Sequence, residues 1–321
     1  MKNIFVTGIT GLLGTNLVID CLEKDFRVKA LLRNKAVYKE IEHHYLELIQ
    51  GNLNDDLSEH LKNIDIFIHI AAETNQGLVN YADYQKINFE ATVKLFQNCV
   101  KCGVKKFIFV STANTMGFGS LLDLGNEEKP IKEPFTKSHY VNSKLEAEVY
   151  LLSQLNKMDV IIVNPTFMLG AHDSKPSSGR IILMAWKKRI VFYPPGGKNF
   201  VSVKDASQGI INSIELGKSG EKYLLANKNQ SYKDFFLRLN AITNQKPIMI
   251  SLPKWILLSI GYFGDILRRF NIQTSISLTN MKILCINNYF DNQKSRKELK
   301  VNYRFLDEAI KDTVNYFTIT K

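Results

Sequence analysis

Short apolar runs alternate with amphipathic stretches through the first half of the chain. Six runs are apolar almost throughout, which is typical of strands covered on both faces of a parallel sheet. They lie at residues 3–7, 27–33, 46–50, 65–70, 106–111 and 160–164. Segments in which apolar residues recur with the period of a helix lie between some of these runs, at residues 12–24, 83–102 and 137–157. Strand and helix in alternation predict an α/β fold built on a doubly wound parallel sheet.

The pattern changes after Pro165. Loops rich in Gly, Pro and Ser interrupt the second half, which carries mainly helical patterns and one predicted strand at 221–225. The helices are predicted at 181–188, 206–216, 232–243, 253–270 and 305–317. We therefore predict a larger domain over residues 1–165 and a smaller, mixed and mostly helical part over 166–321. Some of its segments, such as 200–203, are expected to return to the large sheet.

The longest apolar stretch covers residues 248–263, and Ser251, Pro253 and Lys254 interrupt it. It is too short and too broken to span a bilayer, which takes about 20 apolar residues. We expect no membrane span, and we favour a buried helix over a weak surface contact.

The formal net charge of +11 raises the question of a polyanionic partner. Basic residues are spread along the whole chain, which is typical of a solvated surface, so nucleic acid is not an expected partner. No signal-peptide pattern precedes the first strand, and two of the four cysteines, Cys99 and Cys102, lie in a helical pattern. We therefore expect a reduced, cytoplasmic setting and no metal site.

A glycine-rich segment follows the first strand directly and opens the first helix. It reads Thr7-Gly8-Ile9-Thr10-Gly11-Leu12-Leu13-Gly14. Glycines at this spacing permit a tight turn and close approach of the backbone to a pyrophosphate, which the helix N-terminus also attracts. The segment predicts a dinucleotide site formed by Gly8, Thr10, Gly11, Leu12, Leu13 and Gly14.

The end of the second predicted strand indicates which dinucleotide is bound. Sites that prefer NAD place an acidic residue there to hold the ribose 2′-hydroxyl. Here Arg33, Asn34 and Lys35 occupy the strand end. A planar guanidinium is suited to a 2′-phosphate, so Arg33 favours NADP(H), with NAD as the less favoured cofactor.

A Tyr-x-x-x-Lys pattern joins Tyr140 and Lys144 on a predicted helix, where residues four apart share a face. It follows Ser111 and Thr112, at the end of the fifth strand, by about 30 residues. An ammonium near a phenol is expected to lower the pKa of the phenol, so that Tyr140 can exchange a proton with a substrate oxygen.

With these motifs the chain resembles an extended short-chain dehydrogenase/reductase of the NAD-dependent epimerase/dehydratase superfamily, from the glycine motif to the C-terminus. The stretch 164–180 and the ending are similar to dihydroflavonol-reductase-like enzymes, 3β-hydroxysteroid dehydrogenases and hopanoid-associated sugar epimerases. The resemblance implies a Rossmann nucleotide-binding domain, a C-terminal substrate-binding part, and catalytic roles for Thr112, Tyr140 and Lys144.

The resemblance also implies further cofactor contacts. The family's alanine pair falls on Ala71 and Ala72, and the proline beside the nicotinamide falls on Pro165. The family's acidic adenine contact is replaced by Asn52. In total the expected cofactor-binding set comprises the glycine segment, Arg33, Asn52, Leu53, Ala71, Ala72, Ser111, Tyr140, Lys144, Pro165 and Phe167.

Three functions are compatible with these residues. In a reductase, NADPH transfers a hydride to a ketone or aldehyde while Tyr140 donates the proton; the reverse reaction oxidises an alcohol. In a nucleotide-sugar epimerase, tightly held NAD⁺ oxidises the substrate transiently, and Lys175 and Arg180 can meet a diphosphate. The third is a non-catalytic nucleotide sensor, which would have no need of Thr112, Tyr140 and Lys144. The reductase is favoured because no acid accompanies Arg33.

The substrate and the assembly are predicted only in outline. Apolar residues in loops near the expected site favour a small, largely apolar carbonyl or alcohol substrate; they are Met116, Phe118, Phe135, Phe167 and Met168. The resemblance implies that helices 83–102 and 137–157 can pair in a homodimer.

Overall fold

Parallel strands and helices alternate through the first half of the molecule. The computed structural model describes residues 2–38 and 41–320. The strands here are β1 (Asn3–Thr7), β2 (Arg27–Leu32), β3 (Leu46–Gln50), β4 (Ile66–His69), β5 (Lys106–Val110) and β6 (Asp159–Pro165). The helices are α1 (Leu12–Leu22), α2 (Ser58–Leu61), α3 (Tyr81–Gln85), α4 (Ala91–Lys101) and α5 (His139–Leu152). A single turn of π-helix, Lys86–Glu90, joins α3 to α4, so the one helix predicted at 83–102 is continuous but not uniform.

The second half contains shorter strands between helices. The strands are β7 (Phe167–Leu169), β8 (Ile190–Tyr193), β9 (Gly197–Ser202), β10 (Lys222–Leu225), β11 (Lys228–Ser231), β12 (Ile248–Ser251) and β13 (Asn287–Asn288). The helices are α6 (Arg180–Leu183), α7 (Val203–Leu216), α8 (Tyr232–Ile242), α9 (Lys254–Arg269), α10 (Leu278–Leu284), α11 (Gln293–Glu298) and α12 (Leu306–Thr320).

Seven strands form one parallel sheet in the order β10-β6-β5-β4-β1-β2-β3. The inner strands β1, β4, β5 and β6 are buried almost throughout because helices cover both faces of the sheet. The edge strand β3 is mostly exposed or half-buried. One face packs against α1 and α7 around residues such as Ile4 and Val6. The other packs against α4 and α5, where Phe67 stacks between Phe5 and Phe107 at 5.1 and 5.2 Å. The predicted doubly wound α/β fold is confirmed.

One segment from the second half does join the large sheet, but it is not the expected one. β10 pairs with β6 at the edge. The strand that contains Phe200 is β9, which pairs with β7, β11 and β13 in a separate small sheet. The prediction that residues 200–203 return to the large sheet is therefore wrong, because Phe200 stacks on Phe235 in the C-terminal core instead.

The apolar stretch at 248–263 forms β12 and most of α9. Only Leu257, Gly261 and Gly264 of α9 are buried, so the prediction of a buried helix is wrong. Within the described residues, no helix combines the length and the apolar character needed to cross a membrane.

Candidate active site

The glycine segment forms a tight loop between β1 and α1. Gly8 has a φ of +80°, a left-handed conformation that favours glycine. A side chain on Gly14 would collide with the carbonyl of Gly8, so Gly14 permits the helix to pack closely on the loop. Gly11 is exposed, and the nearest atom to a Cβ added there would be the Gly8 oxygen at 3.7 Å. Folding therefore requires glycine at positions 8 and 14, whereas position 11 has free space on the solvent side.

The first turn of α1 can hold an anion through its backbone. Gly11 is the N-cap and provides no side-chain cap, so the amide groups at the start of the helix keep their donors. Leu12 and Leu13 belong to the expected cofactor-binding set. Because their side chains are buried, they can contribute only backbone N–H groups. Thr10 is exposed at the loop tip.

A buried histidine fixes this loop, and sequence reasoning missed it. The Thr7 hydroxyl accepts from the backbone amides of Ile70 and Ala71 at 3.3 Å and donates to Nδ1 of His69 at 2.7 Å. Nε2 of His69 then donates to Thr92 at 3.0 Å. Burial lowers the pKa of His69 to about 3, which keeps the ring neutral. The only signal in the sequence is a polar residue ending an apolar strand.

The remaining predicted contacts for the adenosine half lie at neighbouring strand ends. Arg33 directly follows β2 and is exposed, with no salt bridge to the residues described. Asn52 follows β3 and is exposed, Leu53 is half-buried, and the amide of Gly51 donates to the Leu32 carbonyl at 3.0 Å. Ala71 and Ala72 are half-buried after β4. Carboxyl ends of parallel strands meet at one edge of the sheet, where open α/β sheets bind ligands.

The three predicted catalytic residues come together beside β5. Thr112 follows that strand, and its side chain is close enough to the Tyr140 phenol to lower the pKa of the phenol. Lys144 lies one helical turn after Tyr140 on α5 and is buried. Its Nζ donates to the Val110 carbonyl at 2.7 Å and lies 3.9 Å from the centre of the Phe109 ring.

One expectation about this trio is wrong. Burial raises the pKa of Tyr140 to about 12, and the nearby Thr112 side chain offsets only part of that rise. Burial also lowers the pKa of Lys144 to about 7, with Glu148 acting in the opposite sense. The ammonium is hydrogen-bonded to Val110 rather than to the phenol, so the protein alone does not lower the pKa of Tyr140.

Two buried polar networks hold α5 in register. Asn88, in the π-helical turn, donates to Ser143 at 2.9 Å and so connects the helix before β5 to α5. Glu148 is fully buried and accepts from Asn164 at 2.8 Å, Thr115 at 2.7 Å and Lys222 at 2.6 Å. A buried carboxylate with three donors is well stabilised, and it joins α5 to β6 and β10.

A cavity of about 150 Å³ lies next to Thr112. It has an apolar side and a polar side, and its lining comprises Thr112, Asn114, Pro165, Thr166, Phe167, Lys198, Asn199, Asn288 and Phe290. Of the five expected apolar wall residues only Phe167 lines it. Met116 and Phe135 are buried in the protein core, Phe118 packs beside them, and Met168 packs on the large-sheet core. The asparagines and Lys198 were not predicted, since nothing in the sequence distinguishes them from other polar residues of the chain.

The residues at this edge fit a dinucleotide. The Ser111 hydroxyl is buried and has no hydrogen-bond partner among the described residues. An unsatisfied buried hydroxyl costs free energy, and a polar group of a ligand would relieve that cost. Ser111 and the open face at Gly11 lie along one line of strand ends. A dinucleotide bound there would run from the α1 N-terminus past Ser111 to Thr112 and Pro165.

Comparison with known proteins agrees with this geometry. The model of the NAD dependent epimerase/dehydratase family matches residues 4–226. A putative dihydroflavonol 4-reductase from Synechocystis sp. is 26% identical over 323 residues, covering 98% of this chain and 94% of that protein. UDP-glucose 4-epimerase from Vibrio cholerae is 28% identical over 295 residues, covering 88% and 89%. The crystal structure of gox2253 superposes with a TM-score of 0.85 and 28% identity, over 99% of this chain and 98% of that one.

Proposed function

Since this chain belongs to the NAD dependent epimerase/dehydratase family, and is thus an NAD(P)-dependent oxidoreductase of the extended short-chain type, we propose that it uses exchangeable NADP(H). The proposed reaction is reduction of a ketone or aldehyde on a small molecule, or oxidation of the corresponding alcohol. The observation that carries the proposal is the grouping of Thr112, Tyr140 and Lys144 beside a cavity at the carboxyl edge of the sheet.

Each residue of this group has a defined task. NADPH, when bound, supplies the hydride. Thr112 lines the cavity and donates a hydrogen bond to the substrate oxygen, while Tyr140 donates the proton that this oxygen needs. Lys144 lies within one helical turn of the phenol and holds the nicotinamide ribose. A bound substrate that draws the Lys144 ammonium away from Val110 would bring the charge closer to the phenol and lower its pKa.

The preference for NADP(H) rests on Arg33. It is exposed at the end of β2, and neither Asn34 nor Lys35 next to it is acidic. An exposed guanidinium can form paired hydrogen bonds with a 2′-phosphate, whereas no acidic residue stands directly after β2 to hold a 2′-hydroxyl.

The cavity supports a substrate with an apolar body and a polar end. Pro165, Phe167 and Phe290 form its apolar side. On its polar side, Nζ of the half-buried Lys198 lies 5.0 Å from the centre of the Phe167 ring, and burial lowers the pKa of Lys198 to about 8. The carbonyl would face Thr112.

The same polar side favours a second candidate, a nucleotide-sugar epimerase with tightly bound NAD. Lys198, Asn199 and Asn288 suit a hydroxyl-rich substrate, and one oxygen of Asn288 has no partner among the described residues. Arg180 is exposed, and within the part of the chain that the structure describes its side chain is hydrogen-bonded only to the Pro176 carbonyl, at 3.3 Å, so it remains accessible to an anion. The nature of the bound nucleotide distinguishes the two candidates.

The catalytic assignment is tested with Tyr140→Phe. Loss of the proton donor is expected to lower kcat roughly 10²- to 10⁴-fold in an NADPH-oxidation assay against a carbonyl panel. The affinity for NADPH should stay within a factor of about two, because the hydroxyl of Tyr140 is only one of many expected cofactor contacts and the ring is retained.

Tyr150→Phe is the matched control, because Tyr150 lies on the same helix, half-buried, and packs through its ring against Phe89 and Phe96. It should retain normal turnover. A fully active Tyr140→Phe enzyme would remove Tyr140 from the mechanism.

A further inference from the structure

The two-stranded sheet has an outer face made only of apolar side chains. β8 and β12 pair in parallel, with Ile190 opposite Ile248 and Phe192 opposite Ile250. These four side chains are 39–65% exposed. Side chains alternate along a strand, so Val191 and Met249 point to the other side, into the C-terminal core. An outward face without one polar residue is unusual for a surface sheet in water.

The helix that follows β12 in the chain, α9, carries a second exposed apolar surface. Trp255, Tyr262, Phe263 and Phe270 are each 60–75% exposed. Trp255, Ser259, Tyr262 and Ile266 follow the i, i+4, i+7, i+11 spacing of one helix face, so three of its four positions are apolar. On the opposite face, a Cβ added to Gly261 would lie 2.8 Å from Cα of Leu278 in α10. This close packing fixes the orientation of α9 and keeps its aromatic face outward.

Basic residues border the two apolar elements. Lys187, Lys188 and Arg189 immediately precede β8, and all three are exposed. Lys246 precedes β12, while Lys254 and Arg269 are the first and last residues of α9, and these three are also exposed. Asp265 is the one acidic residue in the stretch 246–276.

We propose that the outer face of β8, β12 and α9 docks on an anionic lipid bilayer, with α9 lying in the plane of the interface. Exposed Trp, Phe and Ile side chains would enter the region between headgroups and acyl chains, while the bordering Lys and Arg side chains pair with anionic headgroups. α9 has 16 residues and a length of about 24 Å, so it can lie on a bilayer but not cross it.

The charge pattern favours a bilayer over a second copy of the chain. A twofold contact through this face would bring two identical basic borders together, and like charges at an interface oppose association. An anionic surface instead neutralises every one of these residues at once. The charge of the whole chain, +11, adds to the same attraction.

Vesicle binding of the full-length protein tests the proposal. The protein is expected to co-sediment with vesicles of equimolar phosphatidylcholine and phosphatidylglycerol, and only weakly with phosphatidylcholine alone. The chain has two tryptophans, Trp186 and Trp255. In a Trp186→Phe background the remaining emission reports on Trp255 alone, and it should shift to shorter wavelength when anionic vesicles are added, as an indole leaves water.

Two variants and their controls locate the contact. Trp255→Ser should lower the vesicle partition coefficient roughly tenfold or more, as expected for one large apolar side chain. Phe305→Ser removes an aromatic ring that is 80% exposed outside this face, and it should bind vesicles normally. Lys188→Gln should weaken binding roughly fivefold, whereas Lys101→Gln, at the exposed end of α4, should have a much smaller effect.

Normal NADPH binding by each variant shows that it has folded. Absence of binding to the anionic vesicles would overturn the proposal, and so would equal losses in Trp255→Ser and Phe305→Ser. Concentration-dependent dimers in lipid-free buffer that Trp255→Ser abolishes would assign the face to a second copy instead.

Discussion

The predicted preference for NADP(H) depends on one exposed side chain, that of Arg33. Removing it in Arg33→Ala should weaken NADPH binding roughly ten- to a hundredfold, which corresponds to one charge-assisted hydrogen-bonding group on the 2′-phosphate. NADH lacks that phosphate and should lose little affinity. Fluorescence titration with both nucleotides measures the difference.

A matched control exists on the same strand. Arg27 is exposed at the opposite, amino end of β2, away from the carboxyl edge. Arg27→Ala should leave both affinities unchanged. If Arg33→Ala weakened NADH and NADPH equally, Arg33 would contact a part common to both nucleotides and would not select between them.

The pKa values of Tyr140 and Lys144, the proposed catalytic pair, show what cannot be predicted for single residues from the sequence. The spacing of Tyr140 and Lys144 correctly predicts that they share one side of α5. It does not reveal that Lys144 is buried against Phe109 and hydrogen-bonded to Val110, because strand β5 supplies both of those groups from far along the chain. Burial, and not the neighbouring charge, dominates both pKa shifts.

At the scale of elements, the glycines of the β1–α1 loop have different roles. Gly8 and Gly14 are needed for folding, and Gly11 is expected to be needed for nucleotide binding. Gly14→Ala places a methyl group against the Gly8 carbonyl and should destabilise the protein by about 1–3 kcal/mol. Gly11→Ala has room in the protein and should lower Tm much less than Gly14→Ala, by no more than the small N-cap preference for glycine. It should nevertheless weaken NADPH binding several-fold, because the added methyl faces the expected pyrophosphate position.

Thermal unfolding without nucleotide and titration with NADPH give the two readouts for each variant. A Gly11→Ala protein with normal NADPH affinity would show that the pyrophosphate does not approach this loop.

The boundaries of an element can be predicted from the sequence where they depend on neighbouring residues. They cannot be predicted where they depend on contacts with distant parts of the chain. The strand predicted at residues 46–50 has the bounds of β3, because its apolar run and its flanks are local features. The π-helical turn at Lys86–Glu90 arises where Asn88 meets Ser143 of α5 and the backbone of Glu73, contacts that join distant parts of the chain. Likewise, the sequence of β9 does not indicate that its partner strands are β7, β11 and β13.

For the molecule as a whole, the alternation of strands and helices sufficed to predict the sheet and the edge where the site lies. It did not determine the lining of the cavity, since Lys198 and Asn288 come from separate strands of the C-terminal part. The reaction is also underdetermined at this scale, because reductases and epimerases share one fold and differ in how firmly they hold their cofactor.

The most direct test of the central claim is nucleotide analysis of the purified protein followed by fluorescence titration with NADPH and NADH. An exchanging reductase should contain little bound nucleotide and should bind NADPH at least roughly tenfold more tightly than NADH. Protein that retains stoichiometric NAD⁺ through purification would contradict this account and would establish the epimerase candidate as the better one.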